Sequence, residues 1–141
     1  MVHHFKYKKL TPSRNKERKY PVIPVTYKTG DIEFEVISVV DSGATSSYLP
    51  YSLAMALGLS KQNKIETETM GGKISTATDR VIISIPLKND RPVRVETYVN
   101  FPCSPKDDHY AHPLLGRQGF FDKFIVTFDD KNEKLTLKKN E

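Results

Sequence analysis

The sequence predicts a single, mostly β domain. Its 141 residues and 16.1 kDa are enough for one domain with its own core. Hydrophobic residues make up 38% of the chain, with seven Tyr and seven Phe, so it carries more bulky apolar side chains than a disordered chain would. Short runs rich in β-branched residues alternate with turn residues, a pattern typical of strands joined as hairpins. We therefore expect an all-β fold.

Four hairpins are predicted in order along the chain. In the first, residues 21–27 and 32–40 flank the Gly-containing turn 28–31. The other predicted strand pairs are 65–69 with 74–78, 80–87 with 92–99, and 125–128 with 135–137. Residues 101–113 contain three prolines and are expected to be irregular.

One short helix is predicted after residue 49. Pro50 suits its first turn, where the missing N–H costs nothing, and Gly58 suits the position just past its end. Leu49, Leu53 and Leu57 recur every four residues, so the helix has an apolar stripe to bury.

A single aspartate marks the end of the second predicted strand. Residues 32–40 would deliver Asp41 to the exit of that strand, where active-site loops commonly lie. Ser42 adds a hydroxyl, and Gly43 allows a sharp turn and the close approach of a ligand. This layout is typical of a catalytic aspartate, although Asp-Ser-Gly by itself is also a common turn sequence.

Residues 39–45, VVDSGAT, resemble the Asp-Thr/Ser-Gly-Ala signature of retropepsin-like aspartic proteases, the family of retroviral proteases and their cellular relatives. Two more segments follow in the order that this family has them. They are Met70, Gly71, Gly72 and Lys73 at a predicted hairpin turn, and Leu114, Leu115, Gly116 and Arg117. The resemblance extends from about residue 20 to residue 137. Gln118 departs from it, because Asp or Asn usually follows Gly-Arg in the family.

The resemblance implies a retropepsin-like acid-protease fold, a closed β-rich single lobe with one or two short helices that is active as a symmetric homodimer. Aspartic proteases as a class use two carboxylates that share a proton, one activating a water and the other donating to the scissile carbonyl. No aspartate besides Asp41 is followed by a hydroxyl residue and a glycine. The second carboxylate must therefore come from Asp41 of another copy across a two-fold axis. We expect an endopeptidase that is most active at acid to mildly acid pH.

The family pattern also implies supporting roles for the residues that follow Asp41. The hydroxyl of Ser42 would brace the two loops across the two-fold axis. Gly43 and Ala44 would leave room for the backbone of a peptide, and Thr45 would complete the loop.

Two other segments acquire roles in the same way. Residues 70–73 would form a flap over an extended peptide or protein substrate. Leu115 and Gly116 would pack behind the catalytic loop. Arg117 would fix the loop or the subunit contact through an ion pair or hydrogen bonds.

The net charge of +5 is concentrated at the N-terminus. The first twenty residues hold seven Lys or Arg and one Glu, which is +6, so the remainder carries −1. We interpret residues 1–19 as a basic, solvated N-terminal extension and residues 20–141 as the protease domain. Pairing across the two-fold axis and self-trimming as a pro-segment are two further roles for this extension. Its density of Lys and Arg argues against burial in a symmetric contact.

The basic extension also enters an alternative prediction of the function. The fold can persist without catalysis, as a dimerisation or peptide-binding module whose basic arm contacts nucleic acid or an acidic partner. No nucleic-acid motif accompanies the charge, so binding of nucleic acid is not the favoured prediction.

Histidines offer a metal site as another alternative. His109 and His112 form an HxxH spacing, and His3 and His4 form a second pair. Loop histidines without a matching cysteine or a helical frame are usually polar surface residues. We therefore predict neither a metal nor a cofactor.

Other hydrolase classes and a membrane location are not indicated. Ser46 and Ser47 lie outside any GxSxG sequence, and Cys103 has no recognisable base partner and no second cysteine for a disulfide. No run of residues is apolar and long enough for a membrane span or a signal core. We therefore expect a cytoplasmic protein.

Overall fold

The computed structural model describes residues 1–10, 18–108 and 110–140. Within them, the strands and the helix are β1 (Val2–Lys6), β2 (Lys8–Lys9), β3 (Lys19–Tyr20), β4 (Val22–Thr29), β5 (Ile32–Val40), β6 (Ser47–Tyr48), α1 (Tyr51–Ala56), β7 (Lys64–Thr69), β8 (Gly72–Ile85), β9 (Val93–Pro102), β10 (Leu114–Leu115), β11 (Phe124–Asp129) and β12 (Lys134–Lys139). Two 3-10 turns, Pro105–Asp107 and Phe121–Lys123, complete the described elements. The prediction of an all-β fold with little helix is confirmed.

The largest sheet closes on itself. Its strands follow the order β4-β5-β10-β6-β9-β8-β7, and β4 also pairs with β8. Side chains from several of these strands fill the interior, including Ile23, Tyr27, Ile83 and Phe101, which are fully buried. Burying each such apolar side chain contributes about 1.5–3 kcal/mol to folding. This closed sheet is the scaffold on which the site is built.

The phenol of Tyr27 lies inside this core. Its hydroxyl and the Ser38 hydroxyl are 2.6 Å apart, which satisfies both polar groups in a buried environment. Burial raises the pKa of Tyr27 well above its usual range, because the phenolate would lose its hydration.

All four predicted hairpins are present, with one correction. The predicted strands 74–78 and 80–87 are a single 14-residue strand, β8. Strands usually avoid aspartate, but Asp79 is accommodated here because Oδ2 accepts the Ser60 N–H at 2.7 Å and Oδ1 accepts the Arg80 N–H at 2.7 Å.

The predicted helix is present as α1. It begins at Tyr51, one residue later than expected, with Pro50 as its N-cap. Gly58 has a φ of +73°, the left-handed conformation that commonly follows a helix end. Leu49 and Leu57 are fully buried, so the apolar stripe packs into the core as expected.

Both chain ends meet in a second sheet, which we call the terminal sheet. It has the order β1-β12-β11, and β1 pairs with β12 from Val2↔Lys138 to Lys6↔Lys134. Residues 2–6 are therefore part of a sheet, and the interpretation of this segment as a solvated extension is wrong for β1. Residues 11–17 of the predicted extension lie outside the described residues. The division of the chain at residue 20 stays a prediction.

In the part of the chain that the structure describes, none of the helical segments has the length and apolar character needed to cross a membrane.

Candidate active site

Asp41 directly follows the last residue of β5. The end of this strand is held from one side by β10, which runs parallel to it with Leu114 opposite Val39 and Leu115 opposite Val40. The N–H of Asp41 donates to the carbonyl of Leu115 at 3.0 Å, so the same ladder continues to the aspartate itself. The backbone of Asp41 is therefore fixed by the sheet.

The chain then turns tightly around the Asp41 carboxylate. Oδ1 accepts the N–H of Gly43 at 2.9 Å, and the main-chain carbonyl of Asp41 accepts the N–H of Ala44 at 3.2 Å. A Cβ on Gly43 would lie 3.2 Å from Oδ1 and would crowd the carboxylate. Ser42, Gly43 and Thr45 are exposed, while Asp41 is half-buried.

The other carboxylate oxygen is available for chemistry. Among the described residues, Oδ2 of Asp41 has no hydrogen-bond or ion-pair partner. One oxygen of the carboxylate is thus held by the loop, whereas the other can accept from a water or from a second, protonated carboxyl group.

Main-chain hydrogen bonds from the segment after β10 hold the loop from behind. The N–H of Arg117 donates to the carbonyl of Ala44 at 2.8 Å, and the N–H of Gln118 donates to that of Thr45 at 2.9 Å. Because the contact of Gln118 uses its backbone, the departure from the family residue at this position leaves that hydrogen bond unaffected.

Gly116 packs directly against the loop that we call the Asp41 loop, residues 41–46. A Cβ at Gly116 would lie 2.5 Å from both the carbonyl carbon and the oxygen of Ser46, which leaves room for glycine alone. Its N–H donates to the buried hydroxyl of Ser47 at 3.0 Å, and the neighbouring Leu115 is fully buried. The structure therefore brings residues 114–118 together with the loop.

Arg117 reaches the loop through its backbone. Its side chain is exposed, and within the described ranges its guanidinium has neither an ion pair nor a hydrogen bond. The predicted role of this side chain at a subunit contact stays a prediction.

The predicted flap residues lie at the tip of a hairpin, which we call the 64–77 hairpin. β7 and β8 pair from Lys64↔Ala77 to Thr69↔Gly72. The side chain of Met70 is fully exposed and Gly72 has a φ of +112°, the left-handed region that suits a glycine turn. In the described part of the chain, neither Met70 nor Lys73 bonds to the Asp41 loop, so the flap role also stays a prediction.

Two polar side chains that the sequence did not indicate brace this region. Asn100 bonds to the hydroxyls of Ser46 and Thr78. Asp108 accepts the Tyr48 hydroxyl and the N–H of Tyr51 at the start of α1, each at 2.9 Å. These hydrogen bonds join residues far apart in the chain, so no local sequence pattern indicates them.

The histidines that the structure describes do not come together in one site. His109 lies outside the described residues. His3 Nε2 is 3.2 Å from Asp90 Oδ2, whereas His4 Nδ1 is 3.0 Å from the Thr136 hydroxyl, so the two neighbours on β1 have separate partners. Among the described residues, no group of three or more His, Cys, Asp or Glu side chains is arranged to hold a metal ion.

The sequence matches no protein-family model and no curated protein. The structure is similar to a retropepsin-like aspartic protease from Rickettsia conorii, with a TM-score of 0.56 and 15% identity over 97% of this chain and 91% of that one. It is less similar to the simian foamy virus protease (TM-score 0.45, 19% identity, 68% and 89% of the two chains) and to the EIAV protease in complex with an inhibitor (TM-score 0.43, 20% identity, 74% and 88%). The chain therefore has the fold of retropepsin-like aspartic proteases.

Proposed function

We propose that this protein is an aspartic endopeptidase in which Asp41 from each of two identical subunits forms the catalytic pair. The proposal rests on the hydrogen bonding of the Asp41 carboxylate in this fold. One of its oxygens is held by Gly43, while the other has no partner within the described residues. A single chain supplies one such carboxylate, and the reaction needs two.

The surrounding loop suits the chemistry of a shared proton. The exposed residues Ser42 and Gly43 leave the carboxylate open toward a second subunit. With one proton between the two Asp41 groups, the ionised one takes a proton from water while the other protonates the scissile carbonyl. The oxygen that attacks the carbonyl carbon thus comes from water, and the amine product leaves with a proton.

The substrate class is an extended peptide or protein segment. The 64–77 hairpin presents an exposed tip at residues 70–73, which would cover the substrate as a flap. Ser42 would brace the paired loops, Gly43, Ala44 and Thr45 would leave space for the backbone of the peptide, and Leu115, Gly116 and Arg117 would support the loop from behind.

Peptide cleavage tests the reaction. Purified wild-type and Asp41→Asn proteins are incubated with a mixed peptide library between about pH 3 and 8, and the products are identified by mass spectrometry. Cleavage by the wild type alone, strongest toward acid pH, is the expected result. Absence of cleavage by folded wild-type protein at every pH would favour the silent dimerisation or peptide-binding module.

Mixing the same two proteins tests the dyad. In an equal mixture of freely exchanging subunits, only about a quarter of the dimers carry two intact Asp41 residues. We therefore expect activity at about a quarter of that of an all-wild-type sample of equal total protein. A value near one half would mean that each chain acts alone, and it would contradict a site shared between subunits.

A further inference from the structure

Asn100 lies between the strand that follows the Asp41 loop and the strand that forms the 64–77 hairpin. It is opposite Tyr48 of β6 on one side and opposite Thr78 of β8 on the other. Its main-chain carbonyl also accepts the N–H of Leu49 at 2.9 Å. The backbone of Asn100 is thus fixed to both neighbours before its side chain is considered.

The side-chain amide of Asn100 joins two hydroxyl groups. Its Nδ2 donates to Ser46 Oγ at 2.5 Å, and its Oδ1 accepts from Thr78 Oγ1 at 2.9 Å. An uncharged amide supplies a donor and an acceptor at once, so it can connect two hydroxyls without adding a charge. Hydrogen bonds in such a chain polarise and strengthen one another where water is partly excluded.

One end of this chain of bonds lies in the Asp41 loop. Ser46 is the last residue of that loop, and its carbonyl packs against Gly116 too closely for any Cβ to fit there. Immediately before it, the carbonyls of Ala44 and Thr45 are bonded to Arg117 and Gln118. A shift of Ser46 would therefore be transmitted to the main chain that shapes the carboxylate turn.

The other end lies at the root of the 64–77 hairpin. Thr78 follows the last β7–β8 pair, Lys64↔Ala77, and its N–H donates to the carbonyl of Asn63 at 3.1 Å. β8 stays paired with β9 as far as Thr76↔Pro102, and the N–H of Cys103 donates to the carbonyl of Ser75 at 3.0 Å, whereas Met70 at the tip is fully exposed. Thr78 therefore lies in the base by which the hairpin is attached to the rest of the sheet.

We propose that Asn100 is a positioning residue that couples the 64–77 hairpin to the Asp41 loop through Thr78 and Ser46. This inference rests on the proposed function, because it assigns the hairpin a role in setting the loop that carries the catalytic aspartate. Asn100 does not touch the substrate. Its amide fixes the loop relative to the base of the hairpin that would cover a peptide.

Amide hydrogen exchange tests the coupling without requiring activity. Thr78→Val removes the hydroxyl and keeps the shape of the side chain. We expect the N–H groups of Arg117 and Gln118, which bond to the loop carbonyls, to exchange about ten times faster in this variant. Thr76→Val is the matched control: it lies on the same face of β8 and makes no hydrogen bond to Asn100, so its loop amides should exchange as in the wild type.

A thermodynamic cycle separates coupling from local damage. In a Ser46→Ala background the chain of bonds is already broken at the loop end, so Thr78→Val should have no further effect on exchange at Arg117 and Gln118. Unchanged exchange in the Thr78→Val single variant, or an equal acceleration by Thr76→Val, would overturn the proposal. Because Thr78→Val conserves side-chain volume, a change in exchange reports the lost hydroxyl and not a cavity.

Kinetics give the second readout. With a cleaved peptide, Thr78→Val should lower kcat about tenfold while KM changes less than about twofold, because positioning affects the reacting geometry more than binding. A rise in KM alone would contradict the role. If wild-type protein cleaves no peptide but the exchange effect is present, the coupling stands and the proposed protease function fails.

Discussion

Main-chain hydrogen bonds hold the Asp41 loop from behind, whereas charged side chains add to the apolar packing of Leu135 and Leu137 that docks the terminal sheet. Behind the loop, backbone N–H groups of Arg117 and Gln118 meet backbone carbonyls, and Gly116 fits without a side chain. At the terminal sheet, Asp90 lies 3.2 Å from His3 and 3.1 Å from Lys139. The difference teaches that the contacts behind the loop involve no titratable group, while the attachment of the chain ends includes an ion pair that responds to pH and salt.

The largest effect on stability is expected from a substitution that disrupts the packing of Gly116 against the Asp41 loop. Gly116→Ala places a Cβ 2.5 Å from the carbonyl of Ser46, so backbone must move. We expect a loss of about 3 kcal/mol in the free energy of unfolding, together with loss of peptide cleavage. Urea denaturation measures the stability. Gly30→Ala is the control, because a Cβ there meets no atom within 4 Å and the cost is limited to its φ of +55°.

The two variants separate a clash from the loss of glycine flexibility. Equal destabilisation by Gly116→Ala and Gly30→Ala would mean that close packing behind the loop is unimportant, and the contrast between the two regions would lose its main support.

The next largest effect on stability is expected from removal of the Ser47 hydroxyl behind the Asp41 loop. Ser47 is fully buried and accepts the N–H of Gly116, so Ser47→Ala leaves a buried donor without its partner. We expect a loss of about 2 kcal/mol in the free energy of unfolding. Ser52→Ala, an exposed position in α1, should cause no loss because alanine favours a helix. A stability for Ser47→Ala equal to that of the wild type would show that water or another group replaces the hydroxyl.

The structure of the Asp41 loop could be predicted from the sequence, because the residues that indicate it lie close together in the chain. β-branched residues before Asp41, Ser42 and Gly43 after it, and the segment ending in Gly116 each indicate their structure within a few residues. The resemblance of these segments and of their order to retropepsin-like proteases implied the fold. The coarse positions of the hairpins followed from the turn residues.

The terminal sheet was not predictable in the same way. β1 pairs with β12 at the opposite end of the chain, and the Lys and Arg residues of the N-terminal segment favoured an interpretation as solvated surface. Burial alternates along β1, but its buried residue is the polar His3 and Val2 is exposed, so the sequence lacks the apolar alternation that indicates a strand. Asn100 and Asp108 were missed for a related reason, since their partners are more than twenty residues away.

The terminal sheet is also tied down by Tyr7. Its hydroxyl donates to Asp130 at 2.8 Å, and burial together with this bond raises the pKa of Tyr7 to about 12. Tyr7→Phe should cost about 1 kcal/mol at neutral pH. Because the folded pKa is the higher one, this contribution is complete below the usual value near 10 and is lost as pH rises toward 12.

Urea denaturation at several alkaline pH values measures the Tyr7 contribution. The difference in stability between the wild type and Tyr7→Phe should shrink as the phenol ionises. Tyr110→Phe, at a tyrosine that is 54% exposed and donates no hydroxyl bond within the described ranges, should match the wild type at every pH. A Tyr7→Phe difference that is constant up to pH 12 would contradict the assigned bond.

The smallest expected effect concerns Asp90. The hydrogen bond from Lys139, followed by those from the Arg91 N–H and His3, holds the pKa of its carboxyl below its usual range. A lowered folded pKa means that the charged carboxylate stabilises the protein above the usual aspartate range near pH 4, and that this contribution is lost as pH falls through the folded pKa.

Asp90→Asn should therefore lower the urea midpoint at neutral pH, and the difference from the wild type should shrink as the pH falls below the usual aspartate range and the wild-type carboxylate becomes protonated. Added salt should reduce the difference, because the groups involved are partly exposed. Asp31→Asn, an exposed aspartate in the turn after β4, is the control and should show no such profile. If Asp90→Asn instead altered peptide cleavage as much as stability, the terminal sheet and the Asp41 loop would be energetically linked, and the separation of the two regions would have to be abandoned.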